Sequence, residues 1–554
     1  MEFDNARTRV MAPLRDRVPN NQSSNAMTTI DPLKAPHVLS DRQRLWAFWL
    51  GCLVVTAGVV LHIPMYLMGA DIGYQLAGMP MDLGMTIGML IIPPGCALAG
   101  WGLLPRRGHD PRIADGGDHH TVDVTPPEDA PLSRAHWGLM TTLVVALIID
   151  IMKPASLGFV VPGMIEEYGV SKAMVAWLPF AALTGTVAGS IIWGILADIF
   201  GRRASILLSA VMFVGTSICG AMPDFWWNVG MCFMMGAAAG GLLPVVYALL
   251  AETMPSKHRG WSLVLVGGLG AVGGYLASSG LSALLQPEFG WRIMWFLNLP
   301  TGLILIALSG AIPESAKFLM TIGRIDAAHA IMKRFGSVVR ERDETPVEAA
   351  DHHHVLTAPP VERRFAGMTA ALSIAAVAWG LVNFGLLLWL PAELVAKGYS
   401  MGVSSQLLSK SALIAFPTVF VCAFLYSRWS TKWSLVATMV VSAIGVAGVL
   451  AVENGASPIL PVALMIIGTN GLLAILLPYA AESYPLRMRG RATGWVAACS
   501  KSGGLIAQLL GILGAAPALK VAALIIIAPL AVAALLTARF GAETRGRDLR
   551  ELER

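Results

Sequence analysis

The sequence predicts an all-α integral membrane protein of fourteen helices, two six-helix halves behind an additional N-terminal helix pair. Three observations carry that expectation: apolar blocks of bilayer-spanning length, a string that recurs half a chain later, and basic residues confined to alternate loops.

Of 554 residues, 55% are hydrophobic and 14% charged, where an average soluble chain carries roughly 25% charged residues. The mean hydropathy is +0.64. The apolar residues fall in blocks of about twenty, enough to cross a layer of roughly 30 Å at about 1.5 Å per helical residue. These blocks run approximately over 45–67, 83–104, 138–161, 173–197, 204–222, 226–250, 261–285, 291–311, 367–390, 406–426, 434–452, 458–480, 492–515 and 519–538. Cys52, Cys96, Cys219, Cys232, Cys422 and Cys499 all lie within them, without metal or disulfide spacing, and read as packing residues.

The order of segments follows. Residues 1–44 are polar and arginine-rich with no apolar run, which reads as a disordered cytoplasmic tail and not as a signal peptide; Met27 is an alternative start. Residues 45–104 form the extra helix pair and 105–137 a cytoplasmic linker. The first half spans 138–311, a cytoplasmic inter-half loop 312–366, the second half 367–538, and a cytoplasmic tail 539–554. Within the extra pair, Gly84-x-x-x-Gly88 suits close approach to another helix. Bracing the core is its expected role, with a homodimer contact or delivery of substrate from the bilayer as alternatives.

Basic residues orient the chain. With the N-terminus inside, inward loops hold Arg106, Arg107, Arg112, Arg134, Arg202, Arg203, Lys257, Arg259, Arg428, Lys432, Arg487, Arg489 and Arg491, whereas outward loops offer little beyond Lys172, Arg292, Lys397 and Lys520. This is the positive-inside pattern. It places both termini in the cytoplasm of a cell inner membrane protein and accounts for the net charge of +5 without nucleic acid. His352, His353 and His354 beside Asp351 read as solvated linker, since no second ligand cluster accompanies them. Neither a metal nor a cofactor is expected.

The repeat divides the halves. Ala251–Gly260 reads AETMPSKHRG and Ala481–Gly490 reads AESYPLRMRG, offset by 481 − 251 = 230 residues. Glu314-Ser315-Ala316-Lys317 and Glu543-Thr544-Arg545-Gly546 end the two halves at 543 − 314 = 229. Duplicated halves around a midplane site are the plan of many secondary transporters.

These strings, with GILADIFGRR over Gly194–Arg203, resemble the major facilitator superfamily across roughly 138–554, in its sugar-porter and metabolite:proton symporter branch. The resemblance implies the major facilitator fold and alternating access. In the second half the corresponding loop, about 424–433, reads FLYSRWSTKW and lacks the aspartate and paired arginines, which implies a weaker latch. Asp198, Arg202, Arg203, Glu252, Arg259, Glu482 and Arg489 are opposite charges at helix ends at one depth. They read as a cytoplasmic gate, or, for some of the arginines, as simple anchors of helix ends.

Charges inside spans are costly and therefore mark sites. Asp150 and Lys153 in the first core helix are three apart, on one face and within pairing reach. Aromatic-acid:proton symporters, which this region resembles, carry Asp-Gly-Phe/Tyr-Asp before Gly-Phe-x-x-Pro. Here Asp150-Ile151-Met152-Lys153 precedes Gly158-Phe159-Val160-Val161-Pro162, so the second acid is replaced by lysine. Lys410 and Lys501, in the eighth and eleventh core helices, are placed as in the oxalate/formate exchanger type. Three lysines against one aspartate favour an anionic substrate. Asn383, Asn470 and Gln508 add polar ligands, with Trp389 nearby, and Asn383 is the repeat counterpart of Lys153, 383 − 153 = 230. Alternatively, Asp150 and Lys153 neutralise each other structurally, and Lys410 snorkels to the outer interface.

The expected function is proton-coupled symport of a small organic anion, a carboxylate or aromatic acid, with Asp150 coupling protons and Lys153, Asn383, Lys410, Asn470, Lys501 and Gln508 binding substrate. Alternatives are export of a toxic or signalling anion, and a transceptor or membrane scaffold. No nucleophile, acid–base dyad or cofactor loop suggests an enzyme. Fourteen-span drug exporters place their additional pair between the halves, unlike this chain.

Overall fold

The computed structural model describes residues 41–104, 122–124, 130–337, 339–341, 365–452 and 457–545. Among them, thirteen helices are long and apolar enough to cross a membrane. In chain order, the extra pair is α1 (Arg42–Ile72) and α2 (Leu83–Leu103). The first half is α3 (Arg134–Tyr168), α4 (Lys172–Phe200), α5 (Arg202–Ala221), α6 (Phe225–Thr253), α7 (Ser256–Phe289) and α8 (Ile293–Gly310). The second half opens with α9 (Ala366–Ala396), α10 (Met401–Arg428), α11 (Thr431–Leu450) and α12 (Ile459–Ser483). It continues as α13 (Leu486–Ile512) and ends with α14 (Leu519–Phe540). Helix α13 has the length of a span but less apolar character, because it carries Lys501, Gln508 and the Gly503–Gly504 pair. One small departure from an all-helical chain is an antiparallel ribbon in which 122–124 pairs with 339–341, tying the linker before α3 to the inter-half loop.

The extra pair closes on glycine. A side chain at Gly51 would meet the Ala99 and Gly95 backbone, and one at Gly58 would meet Ile92 and Gly88. Facing them, Gly88, Gly95 and Gly102 sit against Gly58, Val55 and Phe48. Spaced seven apart, these glycines keep one seam, and the close approach lets backbones pack as small residues do elsewhere in bilayers. The expected Gly84-x-x-x-Gly88 contact is therefore made inside the pair, at Gly88. The pair rests on α5, where Gly215 faces Ile92 and Val55 and Gly100 faces Leu208.

Inside the halves the same device recurs. Gly236 and Gly240 of α6 lie on the Ala182 and Thr186 carbonyls of α4, and Gly241 lies on the Trp193 ring. Gly270, Gly273 and Gly274 of α7 lie on Leu147, Ile148 and Ile151 of α3, which carries Asp150 into the centre of the bundle.

Two local breaks fall at repeat-equivalent places. Pro154 in α3 has no N–H to give the carbonyl four residues back, that of Asp150. In α9 residues Leu381–Leu387 wind as a π-helix, a distortion that frequently accompanies functional sites. Asn383 lies within it.

Candidate functional site

Asp150 is 4% exposed, and its Oδ1 has no hydrogen-bond partner among the described residues. The charges that bear on it are those of Lys153, one turn along, and Lys501, from the opposite half. Lys501 Nζ stands 5.6 Å from the ring centres of both Trp379 and Phe384, which pack edge to face at 5.6 Å. Trp379 is 4% exposed, yet its indole N–H is also without an acceptor among the described residues. A carboxylate, an ammonium and an indole N–H therefore converge from α3, α9 and α13. Buried polar groups normally find partners, so these unpartnered groups make the cluster the candidate site.

Lys153 departs from expectation. It makes no ion pair with Asp150 among the described residues. Its ammonium donates to the Phe213 carbonyl at 2.7 Å and to Thr216 Oγ1, and sits 3.3 Å from the centre of the Phe213 ring. The cause is local: α-helical winding in α5 stops at Gly215 and tightens to a 3₁₀ turn over Thr216–Ala221. Helix ends leave carbonyls short of donors, and Lys153 supplies one. It is 1% exposed and faces the interior of the first half, so it does not stand opposite Asn383.

The other expected ligands separate. Lys410 is exposed on the side of α10 that also bears Val403, Leu413 and Ile414, an apolar stripe facing away from α7 and α12. Its position fits snorkelling and not the central cluster. Asn470 turns its amide to its own helix, donating to Ile466 O at 3.0 Å. Gln508 is fully buried and serves the π segment: Nε2 donates to Phe384 O at 2.6 Å while Oε1 accepts from Trp389 Nε1 at 3.2 Å. Gln508 and Trp389 thus hold the shape of α9, and Trp379 takes the place beside Lys501. The repeat offset could have found Trp379, because 379 − 149 = 230 sets it opposite Ile149, the neighbour of Asp150.

At the end of the bundle that carries both chain termini, the first-half charges close on one another. Arg202 reaches Asp198 at 3.1 Å and Glu252 at 3.2 Å. Glu314 accepts from the backbone N–H of Arg202 at 2.7 Å, of Arg203 at 3.3 Å and of Ser315 at 2.9 Å. Burial pushes the Glu314 carboxyl up from its ordinary value, against these hydrogen bonds. In the second half Glu482 accepts from Tyr426 Oη at 2.6 Å and Thr544 Oγ1 at 2.9 Å. Glu482 also lies against Gly260 of the first half, 2.7 Å from where a side chain would begin. Arg259 is half-buried nearby, and the Arg489 side chain is outside the described residues, as are His352, His353 and His354.

At the far end the halves join through Lys172 and Glu393, 2.9 Å apart, a contact that sequence reading did not anticipate. There Gly158 of α3 lies directly on the Leu388 carbonyl of α9.

Comparison with known proteins agrees with this fold. The model of one protein family, the Major Facilitator Superfamily, matches residues 140–508. The niacin transporter NiaP of Acinetobacter baylyi is 25% identical over 393 residues, covering 69% of this chain and 88% of that protein. The benzoate transport protein of the same organism is 24% identical over 397 residues, covering 69% and 84%. Among solved structures, the proton:xylose symporter XylE bound to 6-bromo-6-deoxy-D-glucose superposes with a TM-score of 0.59 at 16% identity. That match covers 76% of this chain and 99% of that one.

Proposed function

This chain belongs to the Major Facilitator Superfamily and is a multi-pass membrane transporter, not an enzyme, and from that premise we propose that it carries an aromatic or related small organic acid in symport with protons. The observation that carries the reading is Lys501, an ammonium between two aromatic rings and in the field of Asp150 across the seam between the halves. An aromatic acid matches each feature. Its carboxylate pairs with Lys501, its ring packs on Trp379 and Phe384, and the free Trp379 N–H donates to a carboxylate oxygen. Transporters named for niacin, benzoate, gentisate and 4-hydroxybenzoate among the relatives support that class.

Coupling follows from competition. When Asp150 is ionised it attracts Lys501 and discourages a second anion; when Asp150 takes a proton, Lys501 is free to receive the substrate carboxylate. Substrate and proton therefore travel together. The basic residues at the termini-bearing end set that end in the cytoplasm, so Lys172–Glu393 closes the outer entrance and the Arg202 cluster lies at the inner one.

The test is uptake into proteoliposomes under an imposed proton gradient, with labelled benzoate and nicotinate as probes. Lys501→Gln should abolish accumulation while the protein stays folded. Full accumulation by that variant would sink the assignment. Reversing the gradient in the same vesicles separates uptake from export.

A further inference from the structure

The carboxylate of Glu167, at the outer end of α3, is a socket for the loop between α1 and α2. Glu167 is 4% exposed and its partner Arg292, at the start of α8, is fully buried, with Nη2 at 2.7 Å. Arg292 Nε adds contacts at 3.2 and 3.3 Å, and Trp291 Nε1 donates at 2.7 Å. The remaining acceptor capacity goes to two backbone amides of the α1–α2 loop, Leu76 N–H at 2.6 Å and Ala77 N–H at 2.9 Å. A carboxylate has about four lone-pair sites, and here all are occupied. Arg292 in turn gives Nη1 to the carbonyls of Gly220 and Met222, at 3.1 and 2.8 Å, and Nη2 to Tyr168 Oη at 3.0 Å.

The loop has further ties to the same half. Gly78 N–H donates to Pro223 O at 3.0 Å, Tyr66 Oη donates to Phe289 O at 2.7 Å, and the Tyr66 and Phe296 rings lie 4.8 Å apart. Beside it a depression of about 430 Å³ separates Met79 from Val170, Met174 and Trp226. Five residues after Glu167, past a left-handed turn at Gly169 (φ +62°), stands Lys172, whose ammonium meets Glu393 of the other half.

We propose that the α1–α2 loop is a positioning element for the outer gate: by occupying Glu167 it fixes the turn that aims Lys172 at Glu393, and the extra helix pair moves with the first half. This rests on the alternating-access reading above. A loop amide withdrawn from Glu167 leaves the carboxylate held by Arg292 and Trp291 alone, with an acceptor site unfilled, and the short link to Lys172 transmits the looser hold on the turn. The gate then closes less often.

The experiment measures outer opening without needing the substrate. Leu388→Cys puts a thiol on the buried residue whose backbone lies on Gly158, where the halves touch, and an impermeant maleimide added outside reports how often that contact opens, against the parent chain as background. Ala77→Pro removes one loop donor and leaves the Glu167–Arg292 pair intact. It should raise the labelling rate several-fold. Glu393→Gln should raise it similarly, and the two together no further than Glu393→Gln alone, the non-additivity of one pathway. Glu167→Gln, if it folds, should behave as Ala77→Pro. An unchanged rate in Ala77→Pro, or effects that multiply, overturns the proposal. A rise in Ala77→Pro with none in Glu393→Gln overturns the step through Lys172. Uptake assays on the same variants report the transport reading independently.

Discussion

Glu314 and Glu543, 229 residues apart (543 − 314), do the same job at equivalent places: each accepts on Oε1 from the N–H that opens a helix, Arg202 at 2.7 Å and Thr431 at 3.0 Å. The repeated Glu that ends each half is therefore a helix cap supplied from the far side of that half. Their environments differ in sign. Burial raises the Glu314 carboxyl; for Glu543 burial is outweighed by hydrogen bonds from Ser430, Thr431 and the Arg545 N–H, which hold it below the usual range. Glu543 therefore contributes stability above the unfolded value of about 4.3, lost as pH falls through its lower folded value. Glu314 does the reverse, losing stability as pH rises from about 4.3 through its raised one. Thermal midpoints measured against pH should show Glu543→Gln destabilised at neutral pH and less sensitive to acid. Glu314→Gln keeps an acceptor oxygen and sheds the buried charge, so it should be nearly neutral there. A larger loss for Glu314→Gln would contradict this account.

Asp150→Asn is expected to separate binding from coupling. The amide cannot ionise, so Lys501 stays available to the substrate carboxylate at every pH. Exchange of labelled for unlabelled benzoate across a proteoliposome membrane should persist and lose its dependence on pH, while accumulation driven by a proton gradient disappears. If gradient-driven accumulation survives, the proton is carried elsewhere.

How far the sequence reached depends on the kind of information each feature needs. Span number and halves were legible because they rest on composition and on the repeat, both one-dimensional. The central cluster was legible in part, since a charge within an apolar run is conspicuous, and Asp150 and Lys501 were so identified. Which way a side chain turns was not. Lys153 lies on the face of Asp150 by helical spacing, yet the 3₁₀ turn in α5 draws it to the Phe213 carbonyl. Trp379 and Trp389 look alike in an apolar run, and only the Gln508 hydrogen bond and the Lys501 contact tell them apart. Glu167 and Arg292 are 125 residues apart, so their pairing is a property of the fold.

Lys153 and Lys501 should fail in different assays. Lys153→Met keeps the volume and removes the ammonium's hydrogen bonds to the Phe213 carbonyl, which retains Thr216 Oγ1 as a donor, and to Thr216 Oγ1, at a cost of about 1–3 kcal/mol of stability. The apparent affinity for benzoate should change little. Lys501→Met removes an ammonium that has no hydrogen bond among the described residues, so its thermal midpoint should stay near that of the parent, while benzoate no longer raises it. Thermal shift with and without benzoate reads both effects. The opposite pattern, a stable Lys153→Met protein that cannot bind, would return Lys153 to the substrate site.

Trp379 and Trp389 provide the sharpest comparison because each can lose its N–H while keeping an aromatic ring. Trp379→Phe retains a surface for Lys501 and for the substrate ring but removes the unpartnered donor. If that donor meets a substrate carboxylate, benzoate affinity should fall about ten- to one-hundred-and-fiftyfold, the equivalent of roughly 1.5–3 kcal/mol for a hydrogen bond to a charged group. Stability should hold, since the folded protein alone gives this N–H no acceptor. Trp389→Phe breaks the 3.2 Å bond to Gln508, whose amide supports the π segment at Phe384. It should lower the thermal midpoint and, by loosening α9, weaken binding only indirectly. Alcohol or amide analogues of benzoate discriminate further. They lack the charge that Trp379 and Lys501 recognise, so Trp379→Phe should shift their already weak binding far less than it shifts that of the acid; an equal shift for acid and amide would show that the ring, and not the N–H, is what Trp379 supplies.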